Sequence, residues 1–325
     1  MEKFIVKGPC RLKGQVEISG SKNASLPILA ATLLFDKPVE LKNLPKVKDI
    51  DTMISLLRSL GLKIIYNKKK NFAKIIKEKK IKTFGAYALL KTMRGGILVL
   101  GGLISKYKKA ITSLPGGCVI GARPVNFHLS ALKKLGMNYS IKNGYIHAHV
   151  KKNLVGTKIK FSKVSVGATE NLIIAACLAK GKTILKNCAI EPEIKDLINF
   201  LNKAGGKIKW IGKRSIQVKG VRSLNKVSYS VMGDRIEAGT MAIAATLTKG
   251  NLKIIGLDHK IIKTELDVLK KIGAKIKTNR NEISVKGPKK IKSLKNISTK
   301  EYPGFPTDLQ AQIMTLLCMA GDRST

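Results

Sequence analysis

The chain has 325 residues, 44% hydrophobic and 25% charged, which is enough length and apolar content for two globular domains with substantial cores. Five scattered cysteines (Cys10, Cys118, Cys177, Cys188, Cys318) without a C-x-x-C pair argue against a disulfide framework and a zinc site, and the longest apolar run, Gly95 to Ile104, is too short to span a bilayer. The net charge of +42 would suit nucleic acid, but only 9 of the 62 basic residues are arginine, the lysines run through the whole chain, and aromatics for base stacking are 5%.

The expected partner is therefore an acidic small molecule drawn by a lysine-rich solvated surface, with neither nucleic acid nor membrane as a partner. Met1-Glu2-Lys3-Phe4 opens no signal peptide, so a cytoplasmic location is expected. The oligomeric state is not readable.

Phe4-Ile5-Val6 predicts a first strand. Gly20-Ser21-Lys22-Asn23-Ala24 then opens an apolar helix, and Leu60-Gly61 closes the next one before a lysine-rich alternating strand. The same sequence of events recurs. Thr92-Met93-Arg94-Gly95-Gly96, Ser165-Val166-Gly167-Ala168-Thr169, Asp234-Arg235-Ile236-Glu237 and Phe305-Pro306-Thr307-Asp308-Leu309 open further helices, while Leu135-Gly136, Ala204-Gly205 and Ile272-Gly273 close others. The copies step by about 70 residues, the mark of a repeated α/β module.

The opening helices are apolar nearly all round and must be buried. Strands such as Ser215-Ile216-Gln217-Val218 and Glu282-Ile283-Ser284-Val285 alternate, so each has one wet face and the sheets wrap outside the helices. Five modules are counted. The fifth stops at Gly321-Asp322-Arg323-Ser324-Thr325, where earlier copies continue into a strand, so a truncated chain with weakened activity is expected.

Between the second module's strand and helix lies Leu114-Pro115-Gly116-Gly117-Cys118-Val119-Ile120-Gly121-Ala122-Arg123-Pro124-Val125. Glycines let a backbone approach a ligand closely, and an arginine near a thiol binds phosphate and biases the thiol's pKa. Such a segment reads either as a loop carrying a reactive cysteine to an anionic substrate or as a turn with an inert one.

This loop, with Ser19-Gly20-Ser21-Lys22-Asn23-Ala24, Lys91-Thr92-Met93-Arg94, Glu191-Pro192-Glu193-Ile194 and the module openings above, closely resembles the UDP-N-acetylglucosamine 1-carboxyvinyltransferases, a family of enolpyruvyl transferases. The resemblance covers the whole chain. The sister shikimate-pathway enolpyruvyl transferases share fold and chemistry but lack the Pro-Gly-Gly-Cys loop; they are the alternative, together with an inactive truncated remnant. The resemblance implies an α/β fold of two inside-out α/β barrels, three modules each, the sixth module missing here. It assigns residues 21–230 to the domain with the cysteine loop, and residues 1–20 and 231–325 to the second. It implies transfer of the enolpyruvyl group of phosphoenolpyruvate to the 3′-hydroxyl of UDP-N-acetylglucosamine, with no cofactor and no metal.

The resemblance makes Cys118 the general acid and adduct-forming thiol, Lys22 a catalytic residue that with Asn23 also contacts phosphoenolpyruvate, Arg94 and Arg123 further anion ligands, and Asp308 both a substrate contact and the base for the sugar hydroxyl. Pro124, Val125, Asn126 and Phe127, with the turn Lys163-Val164-Ser165-Val166-Gly167, match substrate contacts. The residues agree in part: a helix N-terminus beside an ammonium group is an anion site, and scarce arginines suit bidentate phosphate contacts. Asp308 also fits a helix N-cap. Asn126 stands where the family usually has aspartate. Arg235, Glu237, Glu191 and Glu193 read equally as site residues or as structural or hinge charges; His128 follows the Arg123 turn and borders the nucleotide site; His147 and His149 read as a solvated strand pair.

Overall fold

The computed structural model describes residues 3, 5–78, 80–85, 87–114 and 125–325. The chain forms two compact units, Met1–Ser19 with Gly233–Thr325, and Gly20–Met232.

The strand expected at the N-terminus lies later. Ile5 and Val6 are irregular and exposed, and Phe4 lies outside the described residues. The first strand is β1 (Lys13–Glu17), a polar stretch that pairs in parallel with a strand near residue 253. Pairing with that neighbour, rather than local apolar content, makes it a strand.

In the unit Gly20–Met232 one pattern runs three times: buried helix, strand, amphipathic helix, antiparallel hairpin. The first copy is α1 (Lys22–Ala31), β2 (Val39–Lys42), α2 (Lys48–Ser59), β3 (Lys63–Asn67) and β4 (Phe72–Ile76). A short α3 (Tyr87–Leu90) precedes the second copy, which holds α4 (Val99–Tyr107), β5 (Lys109–Ser113), α5 (Asn126–Lys134), β6 (Asn138–Lys142) and β7 (Tyr145–His149). The third holds β8 (Lys158–Lys160), α6 (Val166–Ala176), β9 (Lys182–Lys186), α7 (Pro192–Lys203), β10 (Lys207–Gly212) and β11 (Ser215–Lys219); β12 (Val227–Ser230) then returns to the first sheet, parallel to β2. The sheets run β12-β2-β4-β3, β5-β7-β6 and β10-β11-β9-β8.

The helix burial follows from the sequence. Ala24–Ala31 of α1 and Ala168–Ala176 of α6 are buried without a break. By contrast α2 buries only Ile50, Met53, Ile54, Leu56 and Leu57, the face an amphipathic helix offers. Close approach of the buried helices depends on small residues. A Cβ on Gly101 of α4 would stand 2.2 Å from Asn171 Oδ1 on α6, and one on Gly102 would stand 3.1 Å from Leu33 Cβ.

The smaller unit repeats the pattern once more with α8 (Arg235–Leu247), β13 (Asn251–Ile255), α9 (Lys263–Ile272), β14 (Lys275–Asn279) and β15 (Glu282–Lys286), in the sheet β1-β13-β15-β14. The last helix is α10 (Gln310–Leu317). All four helix stops read from the sequence are left-handed glycines: Gly61, Gly136, Gly205 and Gly273 have φ of 108°, 104°, 95° and 111°.

Candidate functional site

In the unit Gly20–Met232 the candidate residues cluster at helix starts. Ser21 is extended, and its Oγ accepts from the Ala24 N–H at 3.2 Å, so it caps α1. Its carbonyl accepts from the Ser25 N–H at 2.9 Å. Lys22 and Asn23 follow, both half-buried, beside backbone N–H groups that a helix start leaves without internal partners. Lys22 Nζ lies 3.3 Å from Asp49 Oδ2, in the first turn of α2.

Arg94 opens a 3₁₀ turn, Arg94–Leu98, that leads into α4. The turn packs on the first turns of α1: a Cβ on Gly95 would stand 3.0 Å from Leu26 Cδ1. The same turn is tied to α6, because the Asn171 amide donates to the Ile97 carbonyl at 3.1 Å. The other hydrogen of that amide faces His128 Nδ1, also at 3.1 Å. Nδ1 therefore accepts, which puts the proton of the neutral ring on Nε2. Burial and the nearby Arg94 charge hold His128 down at about 4, so the ring is neutral near pH 7.

Ser165 caps α6 through the Ala168 N–H at 3.3 Å. A Cβ on Gly167 would stand 3.3 Å from His128 Cε1, so this position faces the imidazole. Val166 and Lys163 are exposed, while Val164, like Val125 and Phe127, packs partly against the core. Asn126 is exposed at the first position of α5. The structure thus gathers Arg94, His128, Asn171 and the Ser165–Gly167 turn, with the Lys22 helix start packed on the Arg94 turn. Cys118, Arg123 and Pro124 lie outside the described residues.

Asp308 lies in the other unit, exposed in the 3₁₀ turn Thr307–Leu309. It stands at the cap position of neither helix segment. The cap positions are Pro306 for the turn and Leu309 for α10, and the N-cap alternative is thereby corrected. The turn is fixed by packing of Leu309 on Gly239 of α8, where a Cβ would meet Leu309 Cδ1 at 2.4 Å, and by the Gln312 amide donating to Thr240 Oγ1 at 3.1 Å.

The charges left open by the sequence have structural partners. Glu237 accepts from the Ser19 N–H at 3.0 Å and from its hydroxyl, pinning the end of the N-terminal segment. Arg235 is buried with its guanidinium 5.7 Å from the Tyr302 ring centroid. Glu191 is the cap residue of α7 and Glu193 stands in its first turn; both are buried. Burial and these two charges push Glu170 well above the usual carboxylate range. His147 and His149 lie on β7, and no group of three metal-ligating residues forms among the described residues.

Three residues at this site carry no signal in the sequence. Asp49 reads as an ordinary first-turn acid, and Asn171 and Glu170 read as incidental polar positions in an apolar helix. Only the fold reveals that Asn171 joins three segments and that Asp49 faces Lys22.

The family model for EPSP synthase (3-phosphoshikimate 1-carboxyvinyltransferase) matches residues 6–325. A UDP-N-acetylglucosamine 1-carboxyvinyltransferase of Pelagibacter ubique (strain HTCC1062) is 64% identical over 324 residues, which covers 100% of this chain and 77% of that protein. A protein of the same name from Endomicrobium trichonymphae is 46% identical over the same coverage. Among solved structures, the enolpyruvyl transferase NikO from Streptomyces tendae superposes with a TM-score of 0.85 at 20% identity, covering 96% of this chain and 74% of that one. An EPSP synthase from Acinetobacter baumannii gives 0.70 at 16% identity, over 89% of this chain and 68% of its own. Both share the α/β fold. No helix among the described residues is long and apolar enough to cross a membrane.

Proposed function

The chain belongs to the EPSP synthase-type family of carboxyvinyltransferases, and on that premise we propose that it transfers the enolpyruvyl group of phosphoenolpyruvate to the 3′-hydroxyl of UDP-N-acetylglucosamine, releasing phosphate. The observation that carries this reading is the 64% identity, over the full chain, to a protein of that name. It favours the UDP-sugar over the shikimate-pathway acceptor, which the family model's description alone would leave open. The product is a precursor of the cell wall, and the reaction belongs in the cytoplasm.

The chemistry needs a proton on C3 of phosphoenolpyruvate, so that C2 becomes electrophilic, and a base for the attacking hydroxyl. The Cys118 thiol gives the proton. A free thiol, with a reference pKa of about 8.5, is mostly protonated near neutrality and can act as an acid. Asp308 takes the hydroxyl proton as the C2–O bond forms. The Cys118 thiolate left by the first step then takes a proton back from C3, which expels phosphate and restores the double bond. Lys22, Asn23, Arg94 and Arg123 hold the phosphate and carboxylate and neutralise charge as phosphate leaves. Pro124, Val125, Asn126, Phe127 and the turn Lys163-Val164-Ser165-Val166-Gly167 contact the UDP-sugar. The cap of α6 at Ser165 and the neutral, donor-bearing Nε2 of His128 beside Gly167 support that assignment.

The test is phosphate release from phosphoenolpyruvate, measured with UDP-N-acetylglucosamine and with shikimate 3-phosphate. Release should need the UDP-sugar, vanish in Cys118→Ala and persist in Cys118→Asp, whose carboxylic acid also donates a proton. Release with shikimate 3-phosphate alone, or undiminished release in Cys118→Ala, overturns the reading.

A further inference from the structure

We propose that Asp196 is the positioning residue of the anion site at the start of α1, holding that helix start in place through the peptide groups of Met232. The inference rests on the reading of Lys22 as an anion ligand.

The linkage is continuous. Asp196 lies on α7 and is 8% exposed. Its Oδ1 accepts from the Tyr229 hydroxyl at 2.6 Å and its Oδ2 from the Met232 N–H at 3.3 Å. The Met232 carbonyl in turn accepts from the Ser21 N–H at 2.8 Å. Ser21 caps α1, and Lys22 is the first residue of that helix. One carboxylate therefore holds the N–H side of Met232, whose carbonyl side carries the cap of the Lys22 helix.

The segment needs such a clamp at this point. Strand β12 ends at Ser230, and the hydrogen bonds beyond it change character. The Val231 N–H still reaches the Lys42 carbonyl, but the Val231 carbonyl is taken by the Asn43 side chain. Met232 is the last residue of this unit, and for its N–H the acceptor is the Asp196 carboxylate.

A carboxylate here is costly. Burial, with the Glu193 charge on the same helix, raises Asp196 to about 6 against the donors Tyr229 and Met232. The groups around it are Glu193, Tyr229 and, over the Tyr229 ring at 6.0 Å, Lys203. An apolar side chain would fill the space without that cost but would leave the half-buried Met232 N–H without this acceptor and the Tyr229 hydroxyl with only the Asp196 backbone carbonyl. A carboxamide keeps both links: its oxygen accepts from Met232, and its amide donates to the Tyr229 oxygen. The Tyr229 hydrogen can turn to the Asp196 backbone carbonyl, already 3.2 Å away.

The experiment compares the full chain with Asp196→Ala and Asp196→Asn in two assays. Hydrogen exchange reads the amides of residues 21–24, and calorimetry reads the affinities for phosphoenolpyruvate and UDP-N-acetylglucosamine. Asp196→Ala should speed exchange at Ser21 and the first turn by about tenfold and weaken phosphoenolpyruvate by about tenfold, the size of one lost hydrogen bond to a carboxylate. The UDP-sugar should change less than about twofold, and Asp196→Asn should restore both readouts. Unchanged exchange at residues 21–24 in Asp196→Ala overturns the proposal, as does equal loss in Asp196→Asn, which would mark general destabilisation. If Asp196→Ala fails to fold, Asp196→Leu, which fills the space with apolar atoms and accepts no hydrogen bond, is read by the same criteria. If the unaltered chain binds no phosphoenolpyruvate, the anion-site reading falls, and the exchange data alone decide whether Asp196 holds the helix start.

Discussion

Lys22 Nζ and Asp49 Oδ2 stand 3.3 Å apart, joining the starts of α1 and α2 with side chains 43% and 37% exposed. A pair so wet contributes little to stability, about 0–1 kcal/mol. Lys22→Met should therefore shift the unfolding free energy by less than about 1 kcal/mol while weakening phosphoenolpyruvate at least about tenfold. Urea denaturation and calorimetry on the same preparation check it. A loss of stability that accounts for the loss of binding would make Lys22 a structural residue.

The caps of α1 and α6 differ in burial, and their removal should differ too. Ser21 is 1% exposed, and Ser165 is half-buried. Each Oγ accepts from an N–H three residues on. Ser165→Ala should cost about 1 kcal/mol, the usual value of a cap, and Ser21→Ala about 2 kcal/mol, because the N–H groups it leaves are away from water. Chemical denaturation gives both numbers, and equal costs would show that burial at Ser21 does not matter.

Much of this fold was legible in the sequence because two signals were local. Apolar residues on every side of α1 and α6 implied burial, and the glycines after four helices marked stops that the backbone confirms with positive φ. The segment Gly95 to Ile104 shows where local reading ends. Its hydrophobicity was plain, but the use of Gly101 depends on Asn171, far along the chain, lying against it. The Lys22–Asp49 pair, the Asn171 bridge and the Asp196 clamp were invisible for the same reason: each is made by residues whose neighbours give no periodic or motif signal. The N-terminal strand was misplaced because Lys13–Glu17 is polar and becomes a strand through its pairing with β13.

Gly101→Ala tests that packing directly. The added methyl would stand 2.2 Å from Asn171 Oδ1 and 2.6 Å from its carbonyl oxygen. Backbone on one side cannot yield, so α4 and α6 must separate, at a cost of about 3 kcal/mol or more. Because Asn171 also holds His128, the substitution should disturb UDP-sugar binding as well. Gly144→Ala is the comparison: nothing lies within 4 Å there, and its cost comes from its φ of 75° alone. Similar binding in the two variants would separate Asn171 from the site.

Cysteine reactivity should sort by environment. Burial pushes the thiols of Cys177 and Cys188 up to about 12, and both are enclosed. They should resist iodoacetamide in the native chain. Cys10 and Cys318 are exposed and should react. Cys118, as the proposed acid, should react and be protected when phosphoenolpyruvate and the UDP-sugar are both present. Peptide mapping after labelling reads all five. Failure of the substrates to protect Cys118 would count against its role.

His128 and Asp196 pull the pH dependence of stability in opposite directions. His128 falls from its usual 6.5 to about 4 on folding, so between those values the unfolded chain binds the extra proton. Its contribution is present above about pH 6.5 and is lost as pH falls toward 4. Asp196 rises from 3.8 to about 6, so there the folded chain binds the extra proton, and its contribution is lost as pH rises through about 6. Glu170, raised by burial and its neighbours Glu193 and Glu191, acts with the same sign as Asp196. The unaltered chain should therefore show a shallower slope between pH 4 and 6 than either group alone would give. Asp196→Asn should make stability rise more steeply with pH, and His128→Gln, which keeps an acceptor for Asn171, should make it rise less or fall. Each difference should amount to about 1–3 kcal/mol across the window, read by urea denaturation at half-unit steps. Parallel curves for the three chains would mean that neither group changes its proton affinity on folding.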